Sequence, residues 1–346
     1  MKIETQVVLA PLTTLGVGGP AAHYARVESE AELLEALTWA NARNLPVRVL
    51  GGGSNIVVSD AGFAGLVVEM ALRGVQVEAR ANLREVRAAA GEPWDELVAR
   101  TVSDGHQGLE CLSGIPGRVG ATPIQNVGAY GQEVSETITQ VAAIDARERT
   151  RRIFSNAECA FSYRGSLFKS TMPGRYIVTE VTFELRAGAA PALRYAELER
   201  WFAARNRTSP GLAEVRSTVL ELRRSKSMVL DPSDPNSRSC GSFFVNPVLS
   251  PGQWSAFGAR ASSEGQVPHF PQADGRVKLS AGWLIEHAGL PRGTRDGSVG
   301  LSTQHALALV AHAGARASDV ARFAERVQHS VYERFGVQLE PEPVFW

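Results

Sequence analysis

The sequence predicts an α+β protein of two or three domains, and three observations lead to this prediction. Helical and strand-like stretches alternate irregularly, without regular strand–helix units. The chain has 346 residues, which exceeds the size at which a single hydrophobic core usually stops growing. Two glycine-rich segments, residues 51–55 and 115–131, interrupt the alternation and are typical of loops that contact a cofactor.

The first predicted helix starts after Ser29, which has the spacing of a capping box with Glu32. Val47 and Val49 then alternate with polar residues, as they would in a strand. Segment 51–55 follows that strand directly. Its backbone amides could therefore converge on a phosphate group.

A second helix is predicted after Pro93, because proline is favoured at a helix start, and Gly105 marks its end. The remaining predicted elements are strands at 141–144 and 176–185 and helices at 195–204 and 318–335, the last followed by Gly336.

Composition and charge limit the classes of partner. Apolar residues make up 44% of the chain and charged residues 21%, as in ordinary globular proteins. The 36 basic and 36 acidic residues balance, so no long-range field attracts nucleic acid or a membrane surface. We expect small-molecule partners.

The cysteines and the N-terminal sequence indicate a reducing, cytoplasmic location. Cys111, Cys159 and Cys240 are too few and too scattered for a disulfide framework or a paired-cysteine metal site, so we expect no metal. Glu4 and Pro11 leave no apolar run of signal-peptide length near the start. No run approaches the roughly 20 apolar residues of a membrane-spanning helix.

Two glycine motifs compete for a nucleotide site. Residues 16–21 fit GxGxxA, but the flanking sequences lack the required strand and helix. Segment 51–55 is better placed, although on its own an ordinary tight turn explains it equally well. Residues 115–131 contain four glycines and two prolines, with Arg118 as the only ionic side chain. Together, 51–55 and 115–131 predict a backbone-lined site for a large flat or anionic cofactor.

Six motifs extend over nearly the whole chain. They are LGGGSN at 50–55, IPGRVGATPIQNVGAYG at 115–131, YRGSLF at 163–168, GSFFVNP at 241–247, KLSAGWLIEHAG at 278–289 and LEPEP at 339–343. In this order they resemble the UDP-N-acetylenolpyruvoylglucosamine reductase (MurB) family. Tyr195, in LRYAELERWF, resembles the branch with an extra segment that closes over the substrate.

The resemblance implies a vanillyl-alcohol-oxidase-like (PCMH-like) fold, in which a two-part domain binds FAD and a third α+β domain binds substrate. We therefore expect the first FAD-binding part at 1–72, with 333–346 returning to it, and the second part at 73–223. The substrate-binding domain is expected at 224–332.

The resemblance also implies a reaction. Non-covalent FAD would pass hydride from NADPH to the enolpyruvyl group of UDP-N-acetylglucosamine enolpyruvate, giving the peptidoglycan precursor UDP-N-acetylmuramate. We expect a monomer that binds neither nucleic acid nor membrane.

Three residues match the catalytic positions of the family. Arg164 would stabilise the aci-carboxylate formed by hydride addition, Ser242 would donate a proton, and Glu342 would donate a hydrogen bond or relay a proton. Cys240 is a stronger acid near Ser242, and Glu340 lies two residues before Glu342. Motif register favours Ser242 and Glu342.

The resemblance also supplies candidate binding residues. Those for FAD are Gly51, Gly52, Gly53, Ser54, Asn55, Ile115, Pro116, Gly117, Gly120, Ala121, Thr122, Asn126, Gly128, Ala129, Gly131 and Ile177. Those for substrate are Tyr130, Tyr195, Lys226, Asn246, Lys278 and His305. Two positions depart from the common family pattern, because Phe270 stands where tyrosine is often found and Pro343 where valine is.

Two other functions remain open at this point. A vanillyl-alcohol-oxidase-like flavoenzyme acting on another alcohol or sugar would keep the glycine loops but would not need Ser242 or Glu342. A UDP-sugar-binding protein that has lost its flavin would keep only the substrate residues.

Overall fold

The computed structural model describes all 346 residues. Its helices are α1 (Glu30–Asn41), α2 (Trp94–Ser103), α3 (Ala196–Ala203), α4 (Leu212–Ser225), α5 (Pro251–Arg260), α6 (Ala281–His287) and α7 (Ala317–Phe335). Its strands are β1 (Glu4–Val8), β2 (Pro20–Val27), β3 (Val47–Leu50), β4 (Ile56–Val57), β5 (Phe63–Met70), β6 (Val75–Arg80), β7 (Leu83–Ala89), β8 (His106–Gln107), β9 (Gly128–Ala129), β10 (Gln132–Glu133), β11 (Ile138–Asp145), β12 (Arg151–Ser155), β13 (Tyr176–Ala187), β14 (Val248–Leu249), β15 (His269–Pro271), β16 (Val277–Leu279), β17 (Arg295–Asp296), β18 (Val299–Leu301), β19 (Leu309–Ala311) and β20 (Val344–Phe345).

The chain forms two compact units. The first consists of Met1–Val7, Ala21–Gly52 and Ala64–Arg224. The second consists of Val8–Pro20, Gly53–Phe63 and Ser225–Trp346. Both units are therefore built from separated stretches of sequence.

The first unit contains two large sheets and the two-stranded sheet β10-β9. A four-stranded sheet has the order β1-β2-β5-β3, with β3 and β5 parallel. A six-stranded sheet has the order β12-β11-β13-β7-β6, with β8 also paired to β13. The buried face of α1, including Leu33 and Leu37, shares one core with β2, β5 and the long strand β13. Trp94 of α2 lies in the same core, and its indole nitrogen donates to the Leu112 carbonyl at 3.1 Å.

The second unit has smaller sheets. Its three-stranded sheets have the orders β14-β16-β15 and β17-β18-β19, and β20 pairs parallel with β4. One face of α7, including Phe323 and Val327, packs into the core of this unit. The helix ends at Gly336, whose φ of 69° is a conformation that glycine adopts without steric cost.

The predicted elements all occur, with small differences in their bounds. The Ser29 hydroxyl accepts from the Glu32 amide as predicted, but the Glu32 carboxylate accepts from the Glu28 amide, so the capping box is not reciprocal. None of the helices is both long and apolar enough to cross a membrane.

Candidate active site

In the first unit, the two glycine loops meet backbone to backbone. A Cβ added to Gly52 would lie 2.6 Å from the Cα of Gly117, closer than such atoms approach in proteins. A Cβ added to Gly51 would meet only Arg118 and Ala121, at 3.8–3.9 Å, which is ordinary contact. Packing of the two backbones therefore requires glycine at position 52, whereas the backbone at Gly51 has room for a ligand.

Backbone hydrogen bonds fix the middle of the 115–131 loop. The Trp94 amide donates to the Gly117 carbonyl at 3.1 Å, and the Gly120 amide donates to the Ala90 carbonyl at 2.9 Å. A Cβ on Gly120 would lie 2.5 Å from the Cβ of Ala90. Close packing within the protein is thus sufficient to explain Gly120.

A buried asparagine fixes the end of this loop. Asn126 has a φ of 47°, and its amide nitrogen donates to the Glu133 carboxylate at 2.7 Å and to the Ser162 carbonyl at 3.1 Å. Its side-chain oxygen accepts from the Ser135 amide at 3.1 Å. Asn126 therefore has a structural role. Its contact with the flavin stays a prediction.

A tight turn carries Arg164. Ser162 and Gly165 pair across the turn, and Arg164 has a φ of 55°, unusual for a residue with a side chain. Its guanidinium donates to the Gly128 carbonyl at 3.1 Å. The first unit thus brings the predicted catalytic arginine to the glycine loop.

Two predicted substrate residues are also together in this unit. The rings of Tyr130 and Tyr195 meet edge to face, with centroids 5.5 Å apart. A Cβ on Gly131 would lie 3.2 Å from the Arg194 carbonyl carbon, so glycine lets the segment before Tyr195 approach. Burial raises the pKa of the Tyr130 phenol, which therefore remains a protonated hydrogen-bond donor at neutral pH.

The sequence did not predict the buried cation in the same region. Arg223 of α4 is 8% exposed, and burial lowers the pKa of its guanidinium, while Tyr130 and Asp95 act in the opposite direction. Its position at the end of an amphipathic helix gave no signal, because arginine is common and exposed at such ends.

In the second unit, the C-terminal segment pairs with the segment that contains Ser242. The Glu342 amide donates to the Phe243 carbonyl at 2.8 Å, and the Val245 amide donates to the Glu340 carbonyl at 3.0 Å. This pairing brings Glu342 beside the residue that follows Ser242. Glu340 is exposed, whereas Glu342 is half-buried.

The alternative proton donor is poorly suited to that role. Cys240 is buried. Burial raises the pKa of its thiol. Ser242 is half-buried and lies between Gly241 and the buried Phe243. Accessibility therefore favours Ser242.

The C-terminal segment also contacts the first glycine loop within the second unit. The side-chain amide of Asn55 donates to the Glu342 carbonyl at 3.3 Å. The adjacent residues Val344 and Phe345 pair with β4. A predicted flavin residue therefore helps to hold the main chain of a predicted catalytic residue.

The predicted substrate residues of this unit lie on different elements. Asn246 accepts from the Ala281 amide at the start of α6, at 2.9 Å. Lys278 of β16 is paired with Phe270 of β15, and its ammonium lies 5.8 Å from the centre of that ring. Lys226 and His305 are both partly buried.

The remaining predicted flavin residues differ in burial. Thr122 is buried, and its hydroxyl donates to the Val119 carbonyl at 2.8 Å. Ile177 is buried in β13. A Cβ on Gly53 would lie 2.0 Å from the Leu12 carbonyl oxygen, so this glycine is required by packing. The others are partly or fully exposed: Ser54, Ile115, Pro116, Ala121 and Ala129.

The competing motif at 16–21 has a structural explanation in the second unit. A Cβ on Gly18 would lie 2.7 Å from the Cβ of Val58, and one on Gly19 would lie 2.3 Å from the Asp60 carbonyl oxygen. Pro20 begins strand β2 and no helix follows it. The motif is therefore not a dinucleotide-binding turn.

Comparison with known proteins identifies the family. Residues 21–153 match a model of an FAD binding domain, and residues 232–346 match the C-terminal domain of UDP-N-acetylenolpyruvoylglucosamine reductase. The chain is 48% identical over 344 residues to that reductase from Thermobifida fusca, with 98% of this chain and 96% of the relative covered. The chain belongs to the UDP-N-acetylenolpyruvoylglucosamine reductase family.

Two other reductases of the family are also similar to this chain. The Streptomyces coelicolor enzyme is 46% identical over 97% of this chain and 88% of its own length. The crystal structure of the Thermus caldophilus enzyme (MurB) superposes with a TM-score of 0.69 at 28% identity, covering 100% of this chain and 99% of that one. The resemblance in sequence and the predicted FAD-binding α+β fold are confirmed.

The residues present fit FAD. A Cβ on Gly51 would meet only the aliphatic part of Arg118 and Ala121, so glycine leaves the backbone at this position open to a ligand, next to a residue that carries a cation. Backbone amides and one arginine suit a pyrophosphate better than a neutral ligand. The protein is an FAD-dependent oxidoreductase of this family.

Proposed function

We propose that this protein uses NADPH to reduce the enolpyruvyl group of UDP-N-acetylglucosamine enolpyruvate to UDP-N-acetylmuramate. FAD, when bound, supplies the hydride chemistry. The chain must then bind and orient the substrate, stabilise the charge that develops on its carboxylate and deliver one proton.

The pairing of the Ser242 segment with the C-terminal segment carries this proposal. It supports a site in which Ser242 donates its hydroxyl proton to the carbon next to the one that receives hydride. The hydrogen bond from the Glu342 amide to the Phe243 carbonyl holds the two segments together. A protonated Glu342 would donate a hydrogen bond to the aci-carboxylate or return a proton to the serine.

Arg164 is the residue that we assign to the developing carboxylate charge. A guanidinium stays protonated and can hold a carboxylate through two parallel hydrogen bonds. The bond from Arg164 to the Gly128 carbonyl and the tight turn beneath it support a fixed orientation, so little reorganisation is needed during the reaction.

The remaining assignments are part of the same proposal. The glycine loops with Ile177 bind FAD, and Tyr130, Tyr195, Lys226, Asn246, Lys278 and His305 bind the UDP-sugar. FAD is held by residues 1–72 with 333–346 and by residues 73–223, while 224–332 bind the substrate. We propose a cytoplasmic monomer that binds neither nucleic acid nor membrane, which light scattering and fractionation would test.

A spectrophotometric assay tests the proposed function. The purified protein should show a flavin absorbance band, and its oxidation of NADPH should depend on UDP-N-acetylglucosamine enolpyruvate. A colourless protein that cannot be reconstituted with FAD would contradict the proposal. Flavin reduction without any turnover of this substrate would contradict the substrate assignment alone.

A further inference from the structure

Arg118 is the only ionic side chain between Ile115 and Gly131. It follows Gly117, whose Cα is the close neighbour of Gly52. The Cγ of Arg118 lies 3.8 Å from where a Cβ on Gly51 would be. The aliphatic part of this arginine therefore lies along the first glycine loop, within the first unit.

The backbone of Arg118 is fixed on both sides. Arg118 forms an isolated β-bridge with Pro93. The next residue, Val119, donates its amide to the Glu92 carbonyl at 2.9 Å, and the Arg118 carbonyl accepts from the Ala121 amide at 3.0 Å. These contacts hold the backbone of Arg118, so its side chain is the part that can bind a ligand.

The nearby acids in this part of the chain have other partners. The Glu92 carboxylate accepts from the Gly74 amide at 2.6 Å and from Arg73 at 3.2 Å. The Asp95 carboxylate accepts from Arg216 at 2.6 and 2.9 Å.

The Arg118 guanidinium makes no hydrogen bond or ion pair within the chain. An arginine that is partly buried against glycine backbone, in a loop without other charges, suits an anion that approaches that backbone.

We propose that Arg118 binds a phosphate oxygen of the flavin dinucleotide, in addition to the backbone amides of the glycine loops. This inference rests on the proposed FAD site. A guanidinium can hold a phosphate through two donors, and such charge-assisted bonds are stronger than bonds from neutral amides. As the only charge in the loop, Arg118 sets how strongly the site prefers the dinucleotide to the same flavin without phosphate.

Equilibrium titration of the full chain, freed of flavin, with FAD and with riboflavin tests this role. Riboflavin carries the same ring system but no phosphate. Arg118→Ala should raise the Kd for FAD about tenfold or more and leave the Kd for riboflavin within about twofold. Arg118→Lys should recover part of the FAD affinity, because it keeps the charge but loses the two-donor geometry.

Arg100→Ala is the matched control, since Arg100 is an exposed arginine of α2 in the same unit and its removal changes the net charge equally. It should leave both Kd values unchanged. An unchanged FAD Kd in Arg118→Ala overturns the proposal, as does an equal loss for FAD and riboflavin.

A defect confined to NADPH or UDP-sugar binding by the holoenzyme also overturns it. Failure of the unmodified protein to bind FAD would instead contradict the proposed function.

Discussion

The glycines at positions 52 and 120 of the first unit and the Ser242–Glu342 pairing of the second unit differ in what explains their residues. Close packing within the protein already requires glycine at positions 52 and 120, whatever the loops bind. Ser242 and Glu342 are both half-buried, and their segments are joined by backbone hydrogen bonds, which do not depend on the identity of either side chain. A glycine pattern therefore reports fold and ligand together, whereas the identity of these two side chains is tested more directly through the chemistry.

We expect removal of the Ser242 hydroxyl to slow the reaction more than substitution of either C-terminal glutamate. Ser242→Ala should slow reoxidation of the reduced enzyme by substrate about 10²- to 10⁴-fold, because the proton donor is lost. Reduction by NADPH should be nearly unchanged. Stopped-flow absorbance measures both half-reactions, and Cys240→Ala, which removes the neighbouring thiol, should retain fast reoxidation. Equal slowing of both half-reactions in Ser242→Ala would indicate a structural role for the serine.

The two C-terminal glutamates differ in burial, and we expect only the half-buried Glu342 to take part in the reaction. Glu342→Gln should reduce the rate of reoxidation about tenfold or more, since glutamine can donate a hydrogen bond but cannot relay a proton. Glu340→Gln, on the exposed residue two positions earlier, should stay within about twofold of the unmodified enzyme. The same stopped-flow measurement separates them, and the reverse order would assign the role to Glu340.

Local signals predicted several elements, but α5, whose capping box of Ser250 and Gln253 is equally local, was missed, as were strands that depend on distant partners. The helix after Ser29 and the one ending at Gly336 carry local signals at one end. Strands β6 and β7 were not predicted; β6 has no buried residue, and β7 buries only Val86 and Ala88. Their pairing with each other and with β13 is a tertiary effect.

In the candidate site too, local motifs were predicted and contacts between distant residues were missed. Family motifs supplied Arg164, Ser242 and Glu342, but local sequence contains nothing that pairs 243 with 342 or brings Arg164 to Gly128. Arg223 was missed because its burial results from the packing of α4.

Two adjacent glycines, Gly51 and Gly52, separate the effect of packing from the effect of cofactor binding in the first unit. Gly52→Ala should lower the free energy of unfolding by about 1–3 kcal/mol, because its Cβ would lie 2.6 Å from the Cα of Gly117. Gly51→Ala should change it by less than about 0.5 kcal/mol, since its Cβ would make only ordinary contacts. It should nevertheless weaken FAD binding if the cofactor approaches that backbone. Urea unfolding of the flavin-free protein and FAD titration give the two quantities.

If Gly51→Ala leaves FAD affinity unchanged, the cofactor does not approach the backbone at Gly51. If Gly52→Ala is as stable as the unmodified protein, the backbone contact with Gly117 would be easily relaxed.

The smallest effect concerns the start of the 115–131 loop, which Asp95 anchors. Burial alone would raise the pKa of Asp95, but hydrogen bonds from Arg216 and from the Gly114 amide outweigh it and lower the pKa below its usual value. The charged carboxylate therefore stabilises the fold above the unfolded-state pKa of about 3.9, and this contribution is lost as pH falls through the lower folded-state pKa.

Asp95→Asn should cost about 1 kcal/mol at pH 7, a modest value because the carboxylate is 39% exposed and screened by solvent. The difference from the unmodified protein should shrink as the pH falls below about 4. Urea unfolding at both pH values measures it. A difference that persists unchanged in acid would mean that Asp95 holds Gly114 by geometry, without a contribution from its charge.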